Sequence, residues 1–259
     1  MNLRKKWFRF ELVLNGLGLA MVAMMSFGLP GHARADTVAL HGATTVINVL
    51  ITPLRATVEK STGHTLEIVG NATGKGLVDM TDGKADASLS SEPLDVAVAA
   101  AEAAGKKIDP KTLQFHEVKK DEVVFIVHLS NPVSSLTWEQ LRDIHTGKIT
   151  NWKQVGGKDQ AITVYCDVPT GGTRALIKKV IMGGEEYSPS VKSLIAVARI
   201  AEMVPKDEGG IGGLGKGFAD NKSKVLQTKK FERPLGFITV GAPSAKVKQV
   251  IDAFRAASK

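Results

Sequence analysis

Three short segments of glycine and hydroxyl residues carry most of the chemistry in this sequence. They are Gly42-Ala43-Thr44-Thr45, Asn71-Ala72-Thr73-Gly74-Lys75-Gly76 and Pro169-Thr170-Gly171-Gly172-Thr173-Arg174. Each follows a short apolar run and precedes a stretch that can be helical. Each can therefore set a helix N-terminus, with free backbone N–H groups and hydroxyl donors, at the carboxyl end of a strand. That is where open α/β sheets hold ligands and where anions are favoured. For any one junction, ordinary turn and capping preferences account for the same residues. Three of them in one chain point to a shared site.

The elements that must position these loops alternate along the chain, the pattern of α/β folds with largely parallel sheets. Predicted strands are Val38 to Leu40, Leu66 to Val69, Ala87 to Leu89, Val123 to His128, Ile162 to Tyr165 and Leu235 to Val240. Several are short and apolar, as buried strands are. Predicted helices are Pro53 to Lys60, with Thr52 to cap it and Pro53 in its first turn, and Asp95 to Ala104, closed by Gly105. A third runs from Val191 to Met203. The last, Ser244 to Ala257, puts Val247, Val250, Ile251 and Phe254 on one face, to pack on the first lobe.

Other constellations are weaker. Gly210-Ile211-Gly212-Gly213-Leu214-Gly215-Lys216 mimics a nucleotide P-loop, but Gly217 stands where Ser or Thr would hold Mg²⁺. It reads as a flexible turn at the rim of a cleft. His41, His64, His116, His128 and His145 lack metal-ligand spacing, and no cofactor or metal is expected. Cys166, the single cysteine, cannot form an internal disulfide. It is a nucleophile only if a histidine reaches it, and its place in a strand favours packing. Trp138 and Trp152 flank a turn and should pack the second lobe.

The N-terminus is a targeting segment rather than fold. Arg4, Lys5, Lys6 and Arg9 precede an apolar run from Leu12 to Leu29, then Pro30 and Ala33-Arg34-Ala35. This order predicts a secretory signal at residues 1–35, cleaved after Ala35. The alternative is an uncleaved anchor, since eighteen mostly apolar residues nearly span ~30 Å of hydrocarbon. No cysteine ends the run, so lipid attachment has no thiol, and the mature protein should be soluble and periplasmic. The signal holds five of the 34 Lys and Arg and one of the 26 Asp and Glu, so the formal charge falls from +8 to +4 without it. That mild excess, without basic runs, gives no footprint for nucleic acid.

From Leu40 onward these residues resemble the phosphate-binding proteins of bacterial ABC transporters, within the type II periplasmic binding protein fold. Gly42 to Thr45 resembles the family's first anion-contacting loop, Thr73 with Gly74 and Gly76 its Gly/Ser loop, and Ala85 to Ser91 its third. Leu136-Thr137, Leu141 through Trp152 and then Val155-Gly156-Gly157 is close to a signature of the second lobe. Gly171-Gly172-Thr173-Arg174 sits at the family's Ser-Gly-Thr-Arg helix start, and Arg233-Pro234-Leu235 opens the return to the first lobe.

The resemblance implies an α/β protein of two lobes, each a mainly parallel sheet flanked by helices. Residues 36–129 with 233–259 would form lobe 1 and residues 130–232 lobe 2, crossing near Leu129 to Pro132 and Phe231 to Pro234. A small ligand would sit in the cleft, bound by Thr44, Thr45, Thr73, Ser91, Asp167, Gly171, Gly172, Thr173 and Arg174. It implies a monomeric, non-enzymatic binding protein that serves an inner-membrane transporter or sensor by closing on its ligand.

Three positions depart from the family pattern. Asp167 stands where the family supplies a phosphate-binding arginine, Gly171 where it has a serine, and Ser91 where some relatives have a carboxylate that accepts the proton of hydrogen phosphate. A carboxylate and an oxyanion ~4 Å apart repel by roughly 4 kcal/mol at an effective dielectric near 20, about three decades in affinity. Neutral hydroxyls and helix N-termini can still bind an oxyanion. Arg174 can swing in, or pair with Asp167 and cancel it. Phosphate or a similar oxyanion is the family default. An accessory or sensory protein with a neutral, cationic or partly apolar ligand stays open, as does a hydrolase using Cys166.

Overall fold

The computed structural model describes residues 36–259, so the predicted signal and its cleavage after Ala35 lie outside the described residues. Nine strands form one mixed sheet: β1 (Thr37–Gly42), β2 (Thr65–Gly70), β3 (Ala87–Ser90), β4 (Leu113–His128), β5 (Thr163–Asp167), β6 (Lys192–Leu194), β7 (Gly210–Gly215), β8 (Ser223–Val225) and β9 (Phe231–Val240). Their order is β2-β1-β3-β9-β4-β7-β5-β6, with β8 paired to β4. Within each lobe the pairs β1/β2, β1/β3, β5/β6 and β5/β7 are parallel. Every antiparallel pair involves β4 or β9, the two long strands that run through both lobes.

The helices are α1 (Thr44–Val46), which continues through a π-helical Ile47–Ile51 into α2 (Thr52–Thr62), then α3 (Thr73–Thr81), α4 (Leu94–Ala103), α5 (Trp138–Thr146), α6 (Gly172–Val180), α7 (Ala198–Met203) and α8 (Ala245–Ala257). The apolar stripe of α8 packs as its spacing predicts: Val247, Val250, Ile251 and Phe254 join Leu40, Leu235 and Phe237 in one core of the first lobe. Each such side chain contributes about 1.5–3 kcal/mol on burial. The second lobe is held by Phe125, Leu141, Ile144, Leu176, Ile177 and Ile211 around Trp152, which is fully buried and donates its indole N–H to the Gly209 carbonyl. At α5, Thr137 and Gln140 form a reciprocal capping box and Gly147 ends the helix in the left-handed region, so the second-lobe signature is a helix with both ends satisfied.

Packing changes from lobe to lobe inside the long strands. Leu113, Phe115 and Val118 of β4 belong to first-lobe clusters, whereas Val123, Phe125 and Val127 belong to the second. A register shift against β9 at Glu117/Lys119 bends the strand there. On β9 the change falls between Phe231 and Leu235. On β4 the change of core thus falls at residues 119–122.

Two expectations are corrected. Gly210–Gly215 is not a flexible rim turn but the fully buried strand β7, between β4 and β5. Its glycines admit neighbouring side chains: a Cβ on Gly212 would lie 2.3 Å from Ile200 Cγ2, and one on Gly213 2.6 Å from Ile177 Cδ1. The helix expected over Val191 to Met203 begins only at Ala198, because Lys192–Leu194 pairs with the edge of β5. Sheet pairing there overrides local helical preference.

Candidate functional site

The carboxyl ends of β1, β2, β3 and β5 converge on one small cavity of ≈ 20 Å³. Thr44 and Thr45 reach it from the start of α1, Thr73 from the start of α3, Ser91 from the loop after β3, and Asp167, Gly171, Gly172 and Thr173 from the turn between β5 and α6. Ile195, Ala196 and Val197 close the remaining side. All the residues proposed from sequence line it except Arg174. Ala72, just before Thr73, holds a left-handed φ of 75° although it is not glycine. Such strain clusters where the surrounding structure over-determines the backbone.

Arg174 turns away from the cavity. Its guanidinium donates to Cys166 Sγ at 2.9 Å, to the Asp167 carbonyl at 3.3 Å and to Ser193 Oγ at 3.0 Å, and lies 4.4 Å from the Tyr187 ring centroid. It thus braces the end of β5 without forming an ion pair with the Asp167 carboxylate. Cys166 is buried, and burial pushes its thiol up to about 11 against the attraction of Arg174. The thiol is protonated at neutral pH, the wrong state for a nucleophile.

The buried cation beside the cavity belongs to a residue that the sequence marks only as opening the return to the first lobe. Arg233, on β9, has a fully buried side chain. Its Nε and Nη2 donate to Asp121 Oδ2 at 3.1 and 3.0 Å, and Nη1 donates to Thr173 Oγ1 at 2.7 Å and Glu92 Oε1 at 3.3 Å. One guanidinium thus ties a first-lobe loop, a second-lobe helix start and the crossing strand. Because Thr173 Oγ1 accepts from Arg233, its own proton is free for another acceptor.

Glu92 also escaped the sequence reading. The third loop does carry a carboxylate, one residue beyond Ser91 and completely buried. Thr73 Oγ1 donates to its Oε2 at 2.8 Å, while Ser91 and Arg233 donate to Oε1. Burial raises its pKa, and the charge of Arg233 and the Ser91 and Thr73 hydroxyls oppose that rise. Asp167 is pushed up to about 7, first by burial and then by the negative charge of Glu92.

The lobes are drawn together around these groups. Gly74 N–H donates across the cleft to the Thr170 carbonyl at 3.1 Å, Lys179 pairs with Asp95, and Val96 of α4 enters the second-lobe core. The Gly171–Gly172 link lies against both carboxylates. A Cβ on Gly171 would sit 1.9 Å from Asp167 Oδ2 and one on Gly172 1.7 Å from Glu92 Oε2. No larger residue fits either position in this closed arrangement, which gives a packing reason for Gly171 in place of serine.

Two lobes crossed by two long strands, with strand-to-helix loops meeting in the cleft between them, define a type II periplasmic binding protein fold. The family model described as a PBP superfamily domain matches residues 30–254, and the chain belongs to that superfamily. It is 28% identical over 175 residues to the phosphate-binding protein PstS of Bacillus subtilis, covering 64% of this chain and 56% of that protein. It is 27% identical over 232 residues to PstS of Staphylococcus saprophyticus, covering 87% and 70%. A substrate-binding protein with bound phosphate from Clostridium perfringens superposes with a TM-score of 0.73 at 24% identity, covering 84% of this chain and 92% of that one.

Proposed function

We propose that the protein is the soluble binding component of a transport system, holding a small oxyanion, phosphate by default, in the cavity between its lobes. The observation that carries this reading is the convergence of the Thr44, Thr45 and Thr173 hydroxyls with the N-terminal turns of α3 and α6 on one small cavity, whose other hydroxyls, Thr73 and Ser91, donate to Glu92. Neutral hydroxyls and helix N-termini are the donor set that binds a tetrahedral oxyanion without a directly paired cation. The names of the PstS relatives agree with it. On this reading the ligand holds the two lobes closed, and closure is the signal to an inner-membrane permease. The chain acts as a monomer in the periplasm after removal of residues 1–35, and performs no catalysis. The protonated state of Cys166 argues against thiol chemistry.

Calorimetric titration of the purified protein with phosphate tests the proposal, alongside mass spectrometry of any copurifying compound. Thr173→Val should weaken phosphate binding by roughly 10- to 150-fold, the loss of a hydrogen bond to a charged group worth about 1.5–3 kcal/mol. Absence of binding by phosphate, together with capture of a neutral or cationic compound, would favour the accessory or sensory reading to which Asp167 in the cavity wall lends some support.

A further inference from the structure

Arg174 is the one arginine among the described residues whose charge no carboxylate neutralises. Arg55, Arg142, Arg199, Arg233 and Arg255 each pair with an acidic side chain. Arg174 instead engages Nη1 alone, with Cys166 Sγ, the Asp167 carbonyl and Ser193 Oγ, and stacks on the Tyr187 ring. These contacts fix the plane of the guanidinium. Its Nε and Nη2 make no hydrogen bond among the described residues. Those two nitrogens form the side-on fork that meets both oxygens of a planar carboxylate.

The fork belongs to the wall of a second cavity. A groove of ≈ 560 Å³ is lined by Pro169, Arg174, Ala175 and Tyr187 of the second lobe and by Ala99 and Ala103 of α4 in the first. It shares no lining residue with the oxyanion cavity. Its volume falls within the range of about 300–1,000 Å³ usual for small-molecule sites. Lys178 and Lys179 at its edge already pair with Glu186 and Asp95, and the Tyr187 hydroxyl donates to the Arg174 carbonyl. The three alanines and Pro169 offer apolar surface. One unneutralised, immobilised fork beside such a surface matches an anionic head joined to an apolar body.

We propose that this groove is a second ligand site, which takes a small organic carboxylate: the carboxylate sits on Nε and Nη2 of Arg174, and the apolar body lies between α4 and α6 against Ala99, Ala103 and Ala175. Binding there does not depend on what the oxyanion cavity holds. The rigid guanidinium has little freedom left to lose on binding, since Nη1 and the Tyr187 ring already hold it. The position of the groove adds a consequence. One wall comes from each lobe, so an occupant bridges the lobes and favours their closed arrangement. Arg174 also stands in the first turn of α6, directly after Thr173 of the oxyanion cavity. A carboxylate in the groove and an oxyanion in the cavity should therefore tighten each other's binding by the same factor. This coupling, unlike the site itself, rests on the oxyanion reading above.

The test uses 2-naphthoate as the probe and its uncharged methyl ester as the control, titrated into the protein by calorimetry and by amide NMR. The acid should bind with a dissociation constant below about 1 mM, and the ester about tenfold more weakly or worse. Amide shifts should centre on Ala99, Ala103, Ala175 and Gly183. Arg174→Gln removes the fork, and Ala103→Glu, at an exposed position of α4, sets a carboxylate in the groove from the other lobe. Each should weaken the acid about tenfold or more. Thermal melts confirm folding, and Ala103→Glu keeps the test decisive should Arg174→Gln unfold. Failure of the acid to bind, equal affinity for acid and ester, affinity unchanged in the folded variants, or shifts confined to other surfaces would each overturn the site. Saturating 2-naphthoate should also tighten phosphate binding about fivefold or more. Phosphate affinity that ignores the probe would overturn the bridging role, whereas phosphate that fails to bind with or without the probe would overturn the oxyanion reading and leave the direct titrations to judge the groove.

Discussion

Replacing Arg233 with methionine keeps most of the side-chain volume and removes the only cation that touches Glu92 and Asp121 in the buried network. The wild-type guanidinium makes hydrogen bonds at 3.0 and 3.1 Å to Asp121, 3.3 Å to Glu92 and 2.7 Å to Thr173, with no solvent to replace them. Breaking a buried ion pair by deleting one partner costs about 3–5 kcal/mol, chiefly because the remaining charge is uncompensated. For a chain of this size each kcal/mol moves the melting temperature by about 2–4 °C, so Arg233→Met should melt roughly 6–20 °C lower at pH 8. The direction of the pH effect follows from Glu92. Its folded pKa already lies above the usual carboxylate value, and losing Arg233 removes the positive charge that most strongly opposes that rise. The folded variant therefore holds a proton that the unfolded chain has released, and its stability falls as pH rises through the folded value. The deficit against wild type should shrink near pH 5, and Glu92→Gln should partly rescue Arg233→Met. Calorimetric melts of the single and double variants at pH 5 and 8 decide it. A shift under 2 °C at pH 8, or the same deficit at both pH values without rescue, would refute the network.

Three further outcomes follow from the same geometry. Gly172→Ala puts a Cβ against Glu92 Oε2, so it should weaken ligand binding at least tenfold with little change in the melting of either lobe; unaltered affinity by titration would show that the loops part easily. With its thiol pushed up to about 11 by burial, Cys166 should resist iodoacetamide at pH 8 for hours in folded protein and react in urea, and rapid modification of the folded chain, seen by intact mass, would contradict that. Asp167, raised from 3.8 to about 7, keeps its proton in the folded state while the unfolded chain loses it, so stability should decline by about 1.4 kcal/mol per pH unit between pH 4 and 7. Asp167→Asn should flatten that decline in a pH series of melts, and an unchanged slope would place the titration elsewhere.

The loops that build the cavity were legible because each is a local signal: an apolar strand, then Gly and Thr, then a helix start. That pattern needs no knowledge of the partner lobe, and it gave Thr44, Thr45, Thr73, Gly171, Gly172 and Thr173 their shared placement. The α8 stripe was legible for the same reason. Arg233 and Glu92 were not, since charged residues read as surface and their pairing spans 141 positions in the chain. The remaining signal was Glu92 standing directly between Ser91 and the first turn of α4, a carboxylate among hydroxyl donors. The length of β4 was hidden by Glu117, Lys119, Lys120 and Glu122, polar residues that lie where the strand passes between lobes and no continuous core is available. Strand β7 was hidden because its glycines mimic a loop, while their lack of side chains is what lets Ile177, Ile200 and Phe125 press on it.

Glu92 and Asp167 come from different lobes, and the charge of Glu92 is felt at Asp167 in the closed arrangement. Closing the cleft therefore works against like-charge repulsion between them. Against it stand the contacts that closing gains across the lobes, among them the Arg233 hydrogen bonds to Glu92 and Thr173 and the burial of Val96. The exposed Asp95–Lys179 pair is worth about 0–1 kcal/mol and the Gly74–Thr170 hydrogen bond about 1 kcal/mol. When both carboxylates are ionised this repulsion opposes those contacts, and a proton on Asp167 shifts the balance toward closure. Ligand-free protein should accordingly have a larger radius of gyration by small-angle scattering at pH 8.5 than at pH 5.5, and addition of ligand at pH 8.5 should restore the smaller value. Asp167→Asn, which cannot carry the charge, should be compact at both pH values. A wild-type radius that does not change with pH, or an Asn variant that opens as the wild type does, would show that the two carboxylates do not gate the cleft.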